Sequence, residues 1–254
     1  MELKPLLQIA KIAAQKAAVE ILKIYETDDF SVEAKSDNSP LTKADKASHN
    51  AIVAELEKTN LPILSEEGAV IPYAERKTWE YFWMIDPLDG TKEFIKKNGE
   101  FTVNIGLIHE GKSILGVVQV PVTGKLYFAS QNNGAFIETT ESSKPLTVNR
   151  KKLTEKGIKV VASRSHLNDE TQQFMDKLIS PEIVSMGSSL KLLAVAEGTA
   201  DVYPRFAPTM EWDTAAAQAV VEEAGGSVNQ KGSKNAVAYN KEDLLNPHFL
   251  VSCL

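Results

Sequence analysis

Tyr81-Phe82-Trp83-Met84-Ile85-Asp86-Pro87-Leu88-Asp89-Gly90-Thr91 is the stretch that decides how this chain is read. Five apolar residues run into two carboxylates three positions apart, followed at once by a glycine and a hydroxyl. An apolar run of that length bounded by turn residues reads as a buried strand. A strand that ends in Asp86 and turns through Asp89 sets negative charge beside the core, which is costly unless a cation meets it. Pro87 fixes its own φ and stiffens the bend, so the Leu88 backbone carbonyl, rather than its side chain, is free to face a metal. Gly90 permits close approach of the backbone. A helix starting at Thr91 would aim the Gly90 and Thr91 amides at an anion, with the Thr91 hydroxyl placed to orient a water. Metal-assisted phosphate chemistry accounts for all of these residues together.

The spacing excludes two other carboxylate turns. Asp-x-Asp-Gly-Thr after an apolar strand marks haloacid-dehalogenase-type phosphatases, whose first aspartate attacks phosphorus covalently. Here one residue more separates Asp86 from Asp89, and a proline lies between them. A calcium-binding EF-hand loop needs alternating ligands that this segment lacks.

The chain has 254 residues, near the upper limit for a single core, so two packed lobes are expected. Its apolar fraction of 43% and charged fraction of 24% are those of an ordinary soluble globular protein. A net charge of -6 disfavours nucleic acid or anionic lipid as the main partner. It leaves room for a small anionic substrate, because a bound metal inverts the local field. Cys253 is the single cysteine, which rules out an internal disulfide and a cysteine-based zinc site. A reducing, cytoplasmic setting is expected. Lys4, Lys11, Lys16 and Lys23 interrupt the apolar residues of the N-terminus, so neither a signal-peptide core nor a membrane span is expected.

Leu6, Ala10, Ala13, Ala17, Ile21 and Ile24 recur at helical spacing and predict an amphipathic helix from about Lys4 to Glu26. A second helix is expected after Pro40, with Asp45 in or just before its first turn. Leu61–Leu64 reads as a short strand ending at Ser65-Glu66-Glu67-Gly68. A meander of strands follows at Phe101–Ile108, Ser113–Val120, Lys125–Ser130 and Ala135–Glu138, with turns between them. From about Leu146 short strands near Ile158–Ala162, Glu182–Ser185 and Ala200–Tyr203 alternate with helices near Asn168–Ile179, Ser189–Glu197 and Asp213–Ala224. The expected class is α/β. Residues 1–145 form an N-terminal lobe of helices on a largely antiparallel sheet that carries most metal ligands. Residues 146–254 form an α/β lobe with Asp213 and the substrate-recognition elements.

Glu66, Asp86, Asp89 and Asp213 stand out as carboxylates at the ends of predicted elements. Magnesium takes such oxygen ligands and keeps waters for its substrate; two ions would stabilise the attacking and leaving oxygens. Each residue also has a plainer reading. Asp213 suits a helix N-terminus, Asp89-Gly90 a simple turn, Glu66-Glu67 a solvated loop and Asp45 a first-turn helix acid. The combination favours the metal reading.

With these residues in hand, the chain resembles the lithium-sensitive, magnesium-dependent inositol monophosphatase superfamily. The family's Asp-Pro-x-Asp-Gly-Thr is similar to Asp86–Thr91, its Glu-Glu to Glu66-Glu67, and its Trp-Asp-x-Ala to Trp212-Asp213-Thr214-Ala215, in the family's order. Thr91–Ile95, Asn98–Ile105 and Gly187–Lys191 resemble the branch of bacterial 3'(2'),5'-bisphosphate nucleotidases. The resemblance implies a layered α-β-α-β-α sandwich. It implies hydrolysis of the 3'-phosphate of adenosine 3',5'-bisphosphate to AMP, with 3'-phosphoadenylyl sulfate as a second candidate substrate, a role in sulfur metabolism, and no covalent intermediate. An inositol monophosphatase or sugar-phosphate phosphatase is the alternative. Carried over by position, one magnesium takes Glu66, Asp86 and the Leu88 carbonyl, and a second takes Asp86, Asp89 and Asp213. A third, weaker ion sits near Glu66 and Asp45, and Li+ is inhibitory. Asp45 and Thr91, with Glu66, handle the attacking water. Asp89, Gly90, Thr91 and Asp213 surround the scissile phosphate, and His166, Gly187, Ser188, Lys191 and Arg205 read the nucleotide. The resemblance leaves the oligomer as monomer or homodimer. By family likeness alone, it adds a peripheral place at the cytoplasmic face of the inner membrane as an alternative location.

Overall fold

A computed structural model of the protein describes residues 1–27, 33–34, 40–162 and 168–253. The chain opens with α1 (Leu3–Tyr25), a two-stranded ribbon of β1 (Glu33–Ala34) and β2 (Pro40–Leu41), and α2 (Lys43–Leu56). The first sheet then takes β3 (Ile63–Ser65), β4 (Tyr81–Asp89), β5 (Thr102–His109), β6 (Lys112–Gln119), β7 (Leu126–Ser130), β8 (Ala135–Glu138) and β9 (Ser143–Pro145), in that spatial order. Short helices α3 (Tyr73–Arg76) and α4 (Thr91–Ile95) flank β4. After it come β10 (Lys159–Val161), α5 (Asp169–Met175), β11 (Glu182–Val184), α6 (Leu190–Ala196), β12 (Val202–Arg205), α7 (Glu211–Glu223), β13 (Ser227–Gln230) and β14 (Phe249–Ser252). The second sheet runs β11-β10-β12-β14-β13.

Side-chain alternation builds five layers from these elements. Along β4 and β5, Trp83, Ile85, Val103, Ile105 and Leu107 face α1 and α2, while Phe82, Met84 and Ile108 face the opposite way. The alanines of α1 (Ala10, Ala13, Ala14, Ala17) are fully buried, and their small side chains let α1 lie close on α2. Gly106 and Gly116 do the same for α7 on the other face. A Cβ on Gly116 would stand 2.0 Å from the Ala216 carbonyl oxygen. α6 and α7 thus lie between the two sheets, and α5 covers the far face of the second with Met175 against Val160 and Val202. The order is α-β-α-β-α, as the resemblance implies.

Several elements differ from the expectation. β13 and β14 do not stand out in the sequence, because Ser227–Gln230 carries a single buried apolar residue, Val228. α5 stops at Met175 rather than near Ile179, where the chain turns toward β11. The strand expected to end at Asp86 continues to Asp89, with a register shift between the two aspartates. α4 has only five residues and is too short to hold itself. Its Phe94 packs against Tyr25 and Phe101 at ring-centroid distances of 5.2 and 5.2 Å. Such pairs add about 0.5–1.5 kcal/mol each beyond burial, which anchors the turn carrying Thr91 to α1.

Candidate active site

Residues three apart in a regular strand point to opposite faces. Asp86 and Asp89 escape that rule because Asp86 pairs with Asn104 and Asp89 with Thr102, so β4 spends one residue more than β5 over the same distance. The extra residue is a β-bulge, and it brings both aspartates to the face of the sheet that meets α7. Leu88 donates its amide to Asp86 Oδ1 at 3.0 Å, which folds the bulge back on its own carboxylate. The Ser48 hydroxyl holds the Pro87 carbonyl at 2.6 Å from α2.

Asp45, at the third position of α2, is fully buried. Its Oδ2 accepts from the Thr42 amide at 2.7 Å and the Thr42 hydroxyl at 2.6 Å, a capping box that fixes the carboxylate. Its Oδ1 accepts from the Thr91 hydroxyl at 3.3 Å. The helix-acid reading and the catalytic reading of Asp45 therefore describe the same carboxylate. Gly90 adopts φ 95° at the head of α4, where a Cβ would stand 3.1 Å from the Glu100 carbonyl oxygen.

The second half of the chain closes the site from the other side. Ser188 and Ser189 donate their hydroxyls to Asp89 Oδ2 at 2.7 and 2.8 Å. Asp213 lies at the third position of α7 and accepts from the Met210 amide at 2.9 Å, so it caps its helix as well as facing the aspartates. Gly187 donates its amide to Glu100 at 2.8 Å. Lys191 reaches the Ser188 carbonyl at 3.3 Å, and Arg205 donates to the Pro208 carbonyl at 2.8 Å. A cavity of about 150 Å³ is lined by Asp89, Gly90, Ser188, Lys191, Arg205 and Asp213, among others. It adjoins one of about 710 Å³ that shares Glu93, Lys191, Tyr203 and Arg205 with it. Gly187 lines the larger cavity. His166 lies outside the described residues.

Electrostatics link the carboxylates. Burial raises the Asp86 carboxyl well above the usual range, and the charges of Glu66, Asp89 and Asp213 push it further; Glu66 also shares a hydrogen bond with it. Asp213 is raised to about 7 by burial and by Asp89. Burial lowers the Lys191 ammonium, and Asp89 opposes that shift. Among the described residues, no three carboxylate, imidazole or thiol side chains converge into a ready-made metal cage. Asp89 is turned onto two serines and Asp213 onto its own helix end, so these two share a field without sharing a point. The donor set is all oxygen, and burial together with the neighbouring carboxylates raises Asp86 and Asp213. Both features fit a hard divalent cation.

Glu100, Thr102, Asn104, Ser189 and Tyr203 carry structure at the site but no assigned task in the sequence reading. The readable signal was Thr102 and Asn104, polar residues on the face of β5 that the strand's own alternation marks as buried.

The comparisons agree with one another. The inositol monophosphatase family model matches residues 2–251. The 3'(2'),5'-bisphosphate nucleotidase CysQ of Escherichia coli strain K12 is 44% identical over 244 residues, covering 94% of this chain and 96% of that one. The structure of CysQ from Bacteroides thetaiotaomicron superposes with a TM-score of 0.88 at 46% identity, covering 98% of this chain and 97% of that one. An inositol monophosphatase from Anabaena (Nostoc) sp. PCC 7120 superposes with a TM-score of 0.77 at 25% identity, covering 100% and 92%. Matched along almost its whole length in sequence and in fold, this chain belongs to the inositol monophosphatase family of phosphatases.

Proposed function

We propose that this phosphatase hydrolyses the 3'-phosphate of adenosine 3',5'-bisphosphate, releasing AMP and inorganic phosphate. The observation that carries the reading is the pair of joined cavities. The smaller holds Asp89 and Asp213, and the larger, about 710 Å³, continues from it past Lys191, Tyr203 and Arg205. That volume suits a nucleoside-sized ligand. An inositol ring or small sugar phosphate would leave most of it empty. The CysQ relatives, named as bisphosphate nucleotidases, support the same substrate.

Glu66, Asp86, the Leu88 carbonyl, Asp89 and Asp213 are the residues that would hold magnesium, as two ions with Asp45 and Glu66 near a third. When bound, magnesium supplies charge for the leaving oxygen and lowers the pKa of water. Thr91, donating to Asp45, keeps its oxygen lone pairs free to accept from the attacking water; as Thr91 takes the water's proton it passes its own to Asp45, which is the final acceptor. Asp45 is well suited to this because Thr42 pins its other oxygen, so little reorganisation accompanies the transfer. Lys191 and Arg205 are proposed to hold the remaining phosphate, a reading supported by the Arg205 Nε, which is buried without a partner among the described residues. His166, Gly187 and Ser188 are proposed to face the nucleotide, and Gly90 to border the scissile phosphate. Lithium is expected to inhibit.

Phosphate release with magnesium, compared between adenosine 3',5'-bisphosphate and inositol 1-phosphate, tests the substrate. A kcat/KM at least about 100-fold higher for the nucleotide is expected, equivalent to roughly 2.7 kcal/mol of discrimination. Preference for the inositol ester would assign the chain to the other branch.

A further inference from the structure

Thr102 and Asn104 open β5 on the face that meets α7, and both are buried to within 1% of full enclosure. An enclosed hydroxyl or amide is costly to bury unless it finds partners, so their partners identify what the two residues do. Thr102 Oγ1 lies 2.6 Å from Ser188 Oγ and 3.3 Å from Asn104 Oδ1. Ser188 Oγ lies 2.7 Å from Asp89 Oδ2. The register places Thr102 directly across from Asp89, and Asn104 across from Asp86.

Counting protons sets the direction of this line. The Ser188 hydroxyl donates its one proton to the Asp89 carboxylate. Ser188 must then accept from Thr102, which uses Thr102's only proton. Thr102 is left as an acceptor, so Asn104 must donate to it. Asn104 Nδ2 is buried without a partner among the described residues, while its oxygen faces Thr102. The two ends of an amide are interchangeable by a half-turn, and turning this one over gives the nitrogen the acceptor it lacks. Ser188 is also held in the left-handed region at φ 52°, an uncommon conformation for a residue with a Cβ. Strain of that kind persists where neighbouring contacts over-determine it. Here the Gly187 amide is tied to Glu100 on one side of Ser188, and the Ser188 hydroxyl is tied to Thr102 and Asp89.

We propose that Asn104, Thr102 and Ser188 form a one-way hydrogen-bond donor line that positions Asp89, holding Oδ2 and leaving Oδ1 for the cation. Thr102 and Asn104 are positioning residues that act through Ser188. The inference rests on the reading of Asp89 as a magnesium ligand.

Binding of Mn2+ to the full chain, followed by electron paramagnetic resonance of the free ion, reads the effect without turnover. Thr102→Val should weaken binding about 10-fold or more, the usual cost of losing a residue that supports a metal ligand. Thr102→Ser, which keeps the hydroxyl, should restore it. The double variant Thr102→Val/Ser188→Ala should bind no more weakly than Ser188→Ala alone, because the line is already cut at Ser188. Ser188→Ala, at a half-buried position, still tests the line if Thr102→Val fails to fold. Binding by a folded Thr102→Val within twofold of the unaltered protein would overturn the proposal. So would additive losses in the double variant, or unchanged binding by Ser188→Ala. Absence of Mn2+ binding by the unaltered protein would instead remove the metal reading itself, and this inference with it.

Discussion

Asp86 and Asp89 share a face because Asp-Pro-Leu-Asp is one residue longer than the Thr-Val-Asn it opposes. The consequence is local and testable. Asp89→Asn keeps the shape of the side chain and its bonds to Ser188 and Ser189 in reach, but removes a charge from the cluster. Phosphate release should fall by more than the roughly 100-fold that loss of a supporting residue costs, while thermal unfolding of the metal-free protein changes little. Unchanged turnover would end the two-ion reading. Asp45→Asn should lower kcat by about 10²–10⁴-fold with a smaller change in KM, the range for a lost proton acceptor. Thr91→Val should fall in the same range, and the pair should be non-additive, as measured by steady-state kinetics. The carboxylates themselves were legible in the sequence as Asp86, Asp89, Glu66 and Asp213. Their common face was not, because a bulge is a property of two strands in register and only one of them carries the motif.

Among the elements, α7 ties the site to the core. It carries Asp213 at its N-terminal turn and lies on β5 and β6 where Gly106 and Gly116 leave it room. At Gly116 the obstacle is backbone, the Ala216 carbonyl 2.0 Å from any added Cβ, so it cannot yield by a rotamer change. Gly116→Ala should therefore destabilise the protein by on the order of 3 kcal/mol, measured by urea unfolding. It should also weaken metal binding as α7 is displaced. Loss of neither would mean that α7 adapts independently of the sheet. α1, α2 and the β5–β8 meander could be read from periodicity, because their buried faces are continuous: Ala10 to Ile21 along α1, and Val103 to Leu107 along β5. β13 and β14 could not, since Ser227–Gln230 holds its place by pairing with Phe249–Ser252 rather than by an apolar pattern of its own.

At the scale of the whole molecule, two sheets and their helices bring carboxylates from distant segments into one field, and that field makes stability depend on pH. The folded Asp213 carboxyl is raised to about 7 from its ordinary value of 3.8, and burial raises Asp86 in the same direction. Between those limits the folded protein holds more protons than the unfolded chain, so metal-free stability should fall as pH rises from about 4 toward 7. Magnesium should accordingly raise Tm more at pH 8 than at pH 5, as read by calorimetry. An equal shift at both values would mean that these acids do not face the ion. Among the described residues no helix is long and apolar enough to cross a membrane. The choice of substrate also belongs to this scale, since the larger cavity draws its walls from both halves of the chain: Glu93 and Glu100 from the β4–β5 connection, and Val161, Tyr203 and Arg205 from β10 and β12. The most direct test follows adenosine 3',5'-bisphosphate with magnesium by ³¹P nuclear magnetic resonance. The account predicts loss of the 3'-phosphate resonance, matching growth of inorganic phosphate and a persistent 5'-phosphate. Release of the 5'-phosphate, or no release from a protein that binds magnesium, would contradict it.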